Sequence, residues 1–142
     1  MRPRITLLLA LVALALPAAA FAARRVIHGP AGGGSGTVDI TLVTSKKTGA
    51  VTKLTRFEFN NIQATCQGFP PTAVSGQFPH TIKVKGGKFS ATVKQNSGRV
   101  TYTVSGKFKN PNSASGKLRV NGTVPGCGKA DTGKVHWSAK HN

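Results

Sequence analysis

The stretch that decides the fold is Arg99–Asn142, which contains three alternating segments: RVTYTVSGKFK at 99–109, SASGKLRV at 113–120 and GKVHWSAK at 133–140. In each segment every second residue is apolar or small, and the residues between are Lys, Arg, Thr, Ser or His. This period of two predicts half-buried antiparallel strands, because successive side chains of a strand point to opposite faces of a sheet. The predicted inward face carries Val100, Tyr102, Val104, Phe108, Leu118, Val120, Val135 and Trp137.

Strand and turn signals continue towards the amino terminus. Apolar alternation recurs over residues 37–44, 51–66 and 80–94, and Gly86-Gly87 predicts a hairpin turn within the last of these segments. Residues 67–71, which include two prolines, and residues 123–133 are predicted loops. No helical periodicity follows the amino-terminal segment, so we expect an all-β domain. Turns about every ten residues predict an antiparallel β-sandwich or flattened barrel of about seven to nine strands.

The amino-terminal segment has the features of an export signal. Arg2 and Arg4 precede an apolar run, 5–16, which is followed by Pro17 and small residues. This order is typical of a secretory signal peptide, which we place at residues 1–22. The run is shorter than the roughly 20 residues needed to cross a bilayer, so no membrane span is expected after cleavage. Residues 23–36, basic and then glycine-rich, are predicted to form a flexible leader, and residues 37–142 the folded domain.

The two cysteines, Cys66 and Cys127, are predicted to form a disulfide, because export exposes them to an oxidising compartment. A disulfide that closes a loop of about sixty residues stabilises a fold by about 4 kcal/mol in the chain-entropy model. A metal site and a catalytic thiol are the rival interpretations. Both lack support, since neither cysteine belongs to a C-x-x-C motif and no His lies at ligand spacing from either.

Four features of the carboxyl-terminal two thirds resemble a known group of proteins. They are Cys66 after a Phe-rich strand, the run Ala114–Val120, Cys127, and the run Thr132–Ala139. In this combination the chain is similar to small secreted proteins of unassigned function from high-GC Gram-positive, actinobacterial-type bacteria. The resemblance implies an exported β-sandwich, and it implies no activity, cofactor or active site.

Charge is the most unusual property of the composition. The chain has 20 Lys and Arg against 3 acidic residues. Removal of Arg2 and Arg4 with the signal leaves 18 basic residues against 3 acids, a net charge of +15. Such a field attracts polyanions by counterion release and fast steering. The expected partners are anionic cell-wall polymers or extracellular DNA, bound with low specificity.

The candidate polyanion contacts are basic residues in the outward register of the predicted strands. Lysines in such positions can also serve a plain structural purpose, because they keep a sheet protein soluble and discourage pairing between sheet edges. Both interpretations fit the sequence. The candidate contacts are Lys83, Lys85, Lys107, Lys109, Lys117, Arg119, Lys134 and Lys140.

Other function classes find less support. A carbohydrate-binding module is the main alternative, but such sites use an exposed aromatic surface, and Tyr102 and Trp137 are expected in the core. A regular ice-ordering array of threonines is not present. Two-carboxylate hydrolysis needs a facing pair of acids; Asp39 and Glu58 could lie on adjacent strands, but each is more simply a counter-ion for neighbouring Lys or Arg. No Gly-x-Ser-x-Gly motif occurs. We therefore expect no enzymatic activity, no metal and no cofactor. The candidate catalytic or ligating groups are Asp39, Glu58, Asp131, His28, His80, His136 and His141.

Overall fold

A computed structural model describes residues 22–142, which lie mostly in β-strands. The predicted signal peptide, residues 1–22, lies outside the described residues except for Ala22. The described part contains ten strands and no helix. The strands are β1 (Arg24–Pro30), β2 (Thr37–Thr44), β3 (Val51–Cys66), β4 (Phe69–Gln77), β5 (Ile82–Lys83), β6 (Lys88–Gln95), β7 (Val100–Asn110), β8 (Ser113–Val124), β9 (Gly128–Asp131) and β10 (Val135–Lys140).

Hydrogen bonding between the strands closes the sheet on itself. The strand order is β10-β1-β2-β3-β9-β8-β7-β6, and β10 also pairs with β8. Strands β10, β1, β2, β3, β9 and β8 therefore form a closed six-strand barrel. Strands β7 and β6 extend from β8, while β4 and β5 pair with β3. The predicted all-β antiparallel fold is confirmed, with ten strands where about seven to nine were expected.

The core lies between β1–β3 on one side and β6, β7, β8 and β10 on the other. Ring contacts cross this interior: the centroids of Phe57 and Trp137 are 5.5 Å apart, and those of Phe59 and Tyr102 are 5.1 Å apart. The inward face predicted for β7, β8 and β10 is therefore correct. Its buried members are Val100, Val104, Leu118, Val120 and Trp137, and its partly buried members, which pack against the core, are Tyr102, Phe108 and Val135.

The prediction of a flexible leader at residues 23–36 is wrong. Strand β1 occupies 24–30, pairs with β2 along all seven of its residues and also contacts β10. Ile27 is fully buried, and a Cβ at Gly29 would lie only 2.0 Å from the backbone oxygen of Ser138. The glycine thus permits a close approach of two strands. The folded domain begins at β1, because barrel closure needs a strand between β10 and β2.

Both predicted loops contain strand. β4 begins at Phe69 and includes Pro70 and Pro71. Prolines are tolerated there because β4 pairs only with β3 and is therefore an edge strand. Within 123–133, the chain turns at Cys127 and then forms β9, which pairs with β8 and β3. Nothing in its four residues, GKAD, alternates strongly enough to predict a strand.

The predicted Gly86-Gly87 turn is present, but one arm of its hairpin pairs elsewhere. Both glycines have positive φ angles, 56° and 72°, and the backbones of Lys85 and Lys88 exchange two hydrogen bonds around them. Beyond this bridge the arms separate. Strand β5, Ile82–Lys83, pairs with β3 instead of β6. The edge strand β6 and the short strand β5 therefore lie next to each other near this turn, although they belong to different parts of the sheet.

The predicted disulfide between Cys66 and Cys127 is confirmed, with the two Cα atoms 4.9 Å apart. It joins the end of β3 to the turn before β9. The hydrogen-bonded seam between these strands has only two residue pairs, Thr65 with Asp131 and Cys66 with Ala130. The covalent bridge therefore reinforces one of the two short seams that close the barrel, the other being β1–β10 with the single pair His28 and Lys140.

Candidate polyanion-binding face

The outward side chains of β6, β7, β8, β9 and β10 form one continuous surface, which we call the basic face. Its strands alternate between core residues and exposed polar residues, as the period of two requires. All of its Lys and Arg side chains are exposed. On the strands they are Lys88, Lys94, Lys107, Lys109, Lys117, Arg119, Lys129 and Lys140, and Lys134, immediately before β10, completes the set.

Strand register arranges this surface in rows that cross the strands. Lys88 lies opposite Lys107 in the β6–β7 pair. Lys117 lies opposite Ser105 on one side and opposite His136 on the other. Neighbouring strands are about 4.8 Å apart, and outward residues of one strand repeat about every 6.6 Å. The backbone positions of neighbouring outward residues are therefore about 5–7 Å apart, a distance that a few bonds of a polymer backbone can span.

Six of the eight residues singled out from the sequence lie on the basic face. The other two, Lys83 and Lys85, belong to the segment around β5, which pairs with β3. Because Lys85 forms an isolated bridge with Lys88, these two lysines border the basic face at its β6 edge. The six on the face itself are Lys107, Lys109, Lys117, Arg119, Lys134 and Lys140.

The structure adds basic-face residues that sequence reasoning missed. Lys88 and Lys94 alternate with the apolar residues of β6, so their outward register could have been read from the sequence. Lys129 fell in a predicted loop and became part of the face only because β9 pairs with β8. The sequence offers His136 only as a candidate catalytic group, and the strand register shows that it lies opposite Lys117.

Two grooves cross the basic face. The first has a volume of about 510 Å³ and runs between the row of Lys88, Lys107 and Ser115 and the row of Ser105, Lys117 and His136. The second has a volume of about 390 Å³ and is lined by Thr103, Arg119 and Lys134, together with Ser105 and Lys117. The two grooves thus share Ser105 and Lys117 and lie side by side.

Glycines form the floor of the first groove. Gly106 pairs with Gly116, and the same register row continues to Phe89 on β6 and Trp137 on β10. A Cβ at Gly106 would lie 2.7 Å from the rings of both Phe89 and Trp137, so the aromatic rings occupy the space beneath the glycines. This arrangement, in which cross-strand rings cover glycines, is a known way to stabilise glycine in a sheet.

The aromatic side chains closest to the grooves are directed into the core. Trp137 is 3% exposed and Phe89 is 5% exposed. Burial also raises the pKa of the Tyr102 hydroxyl. Among the described residues, the exposed large apolar side chains are Val26 and Phe69, which belong to β1 and β4 and not to the basic face. Ligands on this surface would therefore meet ammonium groups, hydroxyls and backbone, and no open ring.

One acidic residue, Asp131, lies on the basic face. Arg119 donates to it from Nε at 3.0 Å and from a terminal guanidinium nitrogen at 2.6 Å. These hydrogen bonds from Arg119 lower the pKa of Asp131, and the Gly133 amide adds to the effect, while burial acts in the opposite direction. The same contact raises the pKa of Arg119. Asp131 therefore neutralises one cation of the surface.

The two remaining acids lie on the opposite side of the barrel. Asp39 and Glu58 are cross-strand neighbours in the β2–β3 pair, as the sequence suggested they could be. Asp39 contacts His28, with Oδ1 and Nδ1 2.6 Å apart, and Glu58 accepts a hydrogen bond from Arg56. Each carboxylate thus has a cationic or imidazole partner. In residues 22–142, no group of three or more His, Cys, Asp or Glu side chains could hold a metal ion.

Comparisons of the chain with known protein families, curated proteins and solved structures find no match. The described part also lacks any helix with the length and hydropathy needed to cross a bilayer. Function is therefore inferred from the geometry and charge of the basic face.

Proposed function

We propose that this protein is an exported, non-enzymatic module that binds anionic polymers with low sequence or structural specificity. The observation that carries the proposal is that half of the 18 Lys and Arg of residues 22–142 lie exposed on the basic face, with Asp131 the one acid among them. A surface of one charge sign attracts polyanions by releasing their counterions. Anionic cell-wall polymers and extracellular DNA are the candidate partners.

Lysine predominates over arginine on this face, which supports low specificity. A lysine ammonium is a compact point charge that accepts many geometries, whereas the planar guanidinium of Arg recognises phosphate through two parallel hydrogen bonds. Arg119 is the arginine of the basic face, and it already holds Asp131. The face is therefore suited to attracting anionic groups in many arrangements.

An extracellular location supports this function and is compatible with the structure. The Cys66–Cys127 disulfide is of a kind that persists in oxidising compartments. The amino-terminal sequence has the order of a secretory signal peptide. We propose that the mature protein is secreted or associated with the cell wall, where anionic polymers are accessible to it.

The alternative of a carbohydrate-binding module receives less support. Neutral sugars are usually bound on a planar aromatic surface with converging polar groups. Trp137 is nearly fully buried, and its ring packs against Phe57 and Phe89. Fluorescence of Trp137 that shifted on addition of a neutral glycan would favour the alternative over the proposal.

A salt titration with two matched variants tests the proposal. The first replaces Lys107, Lys117 and Lys134 on the basic face by Gln. The control replaces Arg24, Lys47 and Lys53, which are exposed outside the basic face, by Gln as well. It therefore lowers the net charge of the protein by the same amount as the first variant. Heparin or inorganic polyphosphate serves as the ligand.

The basic-face variant should lose roughly tenfold or more in affinity, and its salt slope should fall by about 2, because each lost contact with a single strand removes about 0.7. The control should stay close to the wild-type protein. Equal losses in the two variants, or wild-type binding that does not change with salt, would contradict the proposal.

A further inference from the structure

We infer that the ligand of the basic face is a single extended phosphate polymer that carries no bases, and that it lies in the first groove, across the strands. This inference rests on the proposed binding function and narrows its substrate class. It follows from the width of the grooves, from the distribution of cations along their walls and from the burial of the neighbouring rings.

The grooves are wide enough for one chain and too narrow for a duplex. Each is bounded by two rows of outward side chains, and such rows are about 6.6 Å apart along a strand. Even the major groove of B-DNA, which is only part of the duplex, is about 12 Å wide. A duplex could touch only the tips of the lysines, whereas a single chain could reach the glycine floor at Gly106 and Gly116.

Both walls of the first groove carry cations. Lys88 and Lys107 lie on one wall, and Lys117 lies on the other, beside His136. A chain that crosses from β6 to β10 would meet a new strand about every 4.8 Å. Between the charged groups, the hydroxyls of Ser105 and Ser115 can donate hydrogen bonds to phosphate oxygens. Regularly spaced anionic groups are therefore the chemistry that this groove suits.

The absence of an accessible ring in the grooves disfavours a ligand with bases. Proteins that bind single-stranded nucleic acid usually stack successive bases on aromatic side chains. Phe89 and Trp137 line the first groove, but their rings are turned into the core beneath Gly106. A base would consequently gain no stacking here, and its bulk would have to stand away from the narrow floor. A plain phosphate backbone avoids that cost.

Filling the groove without changing its charge tests this inference. The pair of substitutions Ser105→Leu and Ser115→Leu places bulk on both walls of the first groove, one residue on each, and the pair Thr92→Leu and Thr123→Leu places it on exposed positions of the same face outside both grooves. Binding of labelled inorganic polyphosphate is measured for both. The groove pair should lose roughly tenfold in affinity, through steric exclusion, while the control pair should bind like the wild-type protein.

Competition experiments identify the ligand class. Inorganic polyphosphate, a single-stranded oligonucleotide and duplex DNA are compared at equal phosphate concentration as competitors. Polyphosphate should compete best, and duplex DNA should be insensitive to the groove pair. If either nucleic acid competes as well as polyphosphate, the inference of a base-free ligand is overturned.

A second readout needs no variant. Addition of polyphosphate to the wild-type protein should shift the amide resonances of Gly106 and Gly116 more than those of Gly49 and Gly68, which lie in turns outside the basic face. If polyphosphate binds in a salt-dependent way but leaves the groove glycines unaffected, the groove is wrong and the broader function stands. If no polyanion binds, the proposed function itself fails.

Discussion

The basic face and the outer surface of β1–β3 are built on the same alternation of strand residues, yet acidic and basic side chains are distributed differently on the two surfaces. On β1–β3, Asp39 and Glu58 are neighbours and each contacts a basic or imidazole group, His28 or Arg56. On the basic face, outward lysines occur on all five strands, and Asp131 is the acid among them.

The difference indicates what the lysines are for. Solubility is served by charges of both signs that are interspersed over a surface. A concentration of one sign adds self-repulsion to the folded state, which opposes stability. The surface of β1–β3 shows that this barrel can carry interspersed charges. The basic face lacks that compensation, which favours a ligand that supplies the missing negative charge.

Removal of the indole beneath the basic face should have the largest effect on stability. Trp137→Ala should lower the free energy of unfolding by about 3–5 kcal/mol, because it leaves a cavity beside Phe57 and Phe89. The indole Nε1 has no hydrogen-bond partner among residues 22–142, which offsets part of the loss. Denaturant unfolding measures the change. The matched variant on the outer side, Lys107→Ala, should stay within about 0.5 kcal/mol. Equal losses would mean that the two faces are assigned incorrectly.

A second pair of variants tests whether β1 belongs to the barrel. Ile27 is fully buried, whereas its neighbour Val26 is 53% exposed. Ile27→Ala should therefore cost about 2–5 kcal/mol, and Val26→Ala should stay within about 0.5 kcal/mol. Chemical denaturation compares them. If both variants were as stable as the wild-type protein, the segment would be the loose leader that the sequence predicted, and the β1–β3 surface would lose a strand.

The sequence predicts well which residues of a long strand face the core, and it predicts poorly which strands and residues lie beside that strand. Alternation identifies Trp137 as inward and Lys107 as outward, because parity within a strand is a local property. It cannot show that Lys117 lies opposite His136, since that depends on the register between strands distant in sequence. Strands β1 and β9 were missed because their few residues alternate weakly and form strands only when the barrel closes around them.

The disulfide seam should contribute an effect of intermediate size. Replacing both Cys66 and Cys127 by Ala should lower stability by about 2–4 kcal/mol, because the bridge restricts the unfolded chain. Unfolding of the oxidised wild-type protein under non-reducing conditions gives the reference. The basic face should continue to bind polyanions once the variant is folded, because Lys129 is the one cation that β9 contributes to it. A loss of polyanion binding without a loss of stability would show that the disulfide-linked β3–β9 seam holds the residues of the basic face in position.

The smallest effect on stability should come from acid. The pKa of Asp131 is lowered in the folded protein by hydrogen bonds from Arg119, so the carboxylate stabilises the fold at pH values above its unfolded pKa. That contribution is lost as the pH falls through the folded pKa. Wild-type stability should therefore decline slightly more steeply in acid than that of Asp131→Asn, as measured by thermal unfolding from neutral to acidic pH. The pair is exposed, so the difference should be small.

The same substitution also contrasts the two surfaces directly. Asp131→Asn releases Arg119 and adds one positive charge to the basic face, whereas Asp39→Asn adds the same charge on β2. If the basic face is where polymers bind, Asp131→Asn should tighten polyphosphate binding and steepen its salt dependence by about 0.7, as expected for one more contact with a single strand. Asp39→Asn should leave the slope unchanged. Equal steepening in the two variants would mean that the whole field of the protein, and not one face, attracts the polymer.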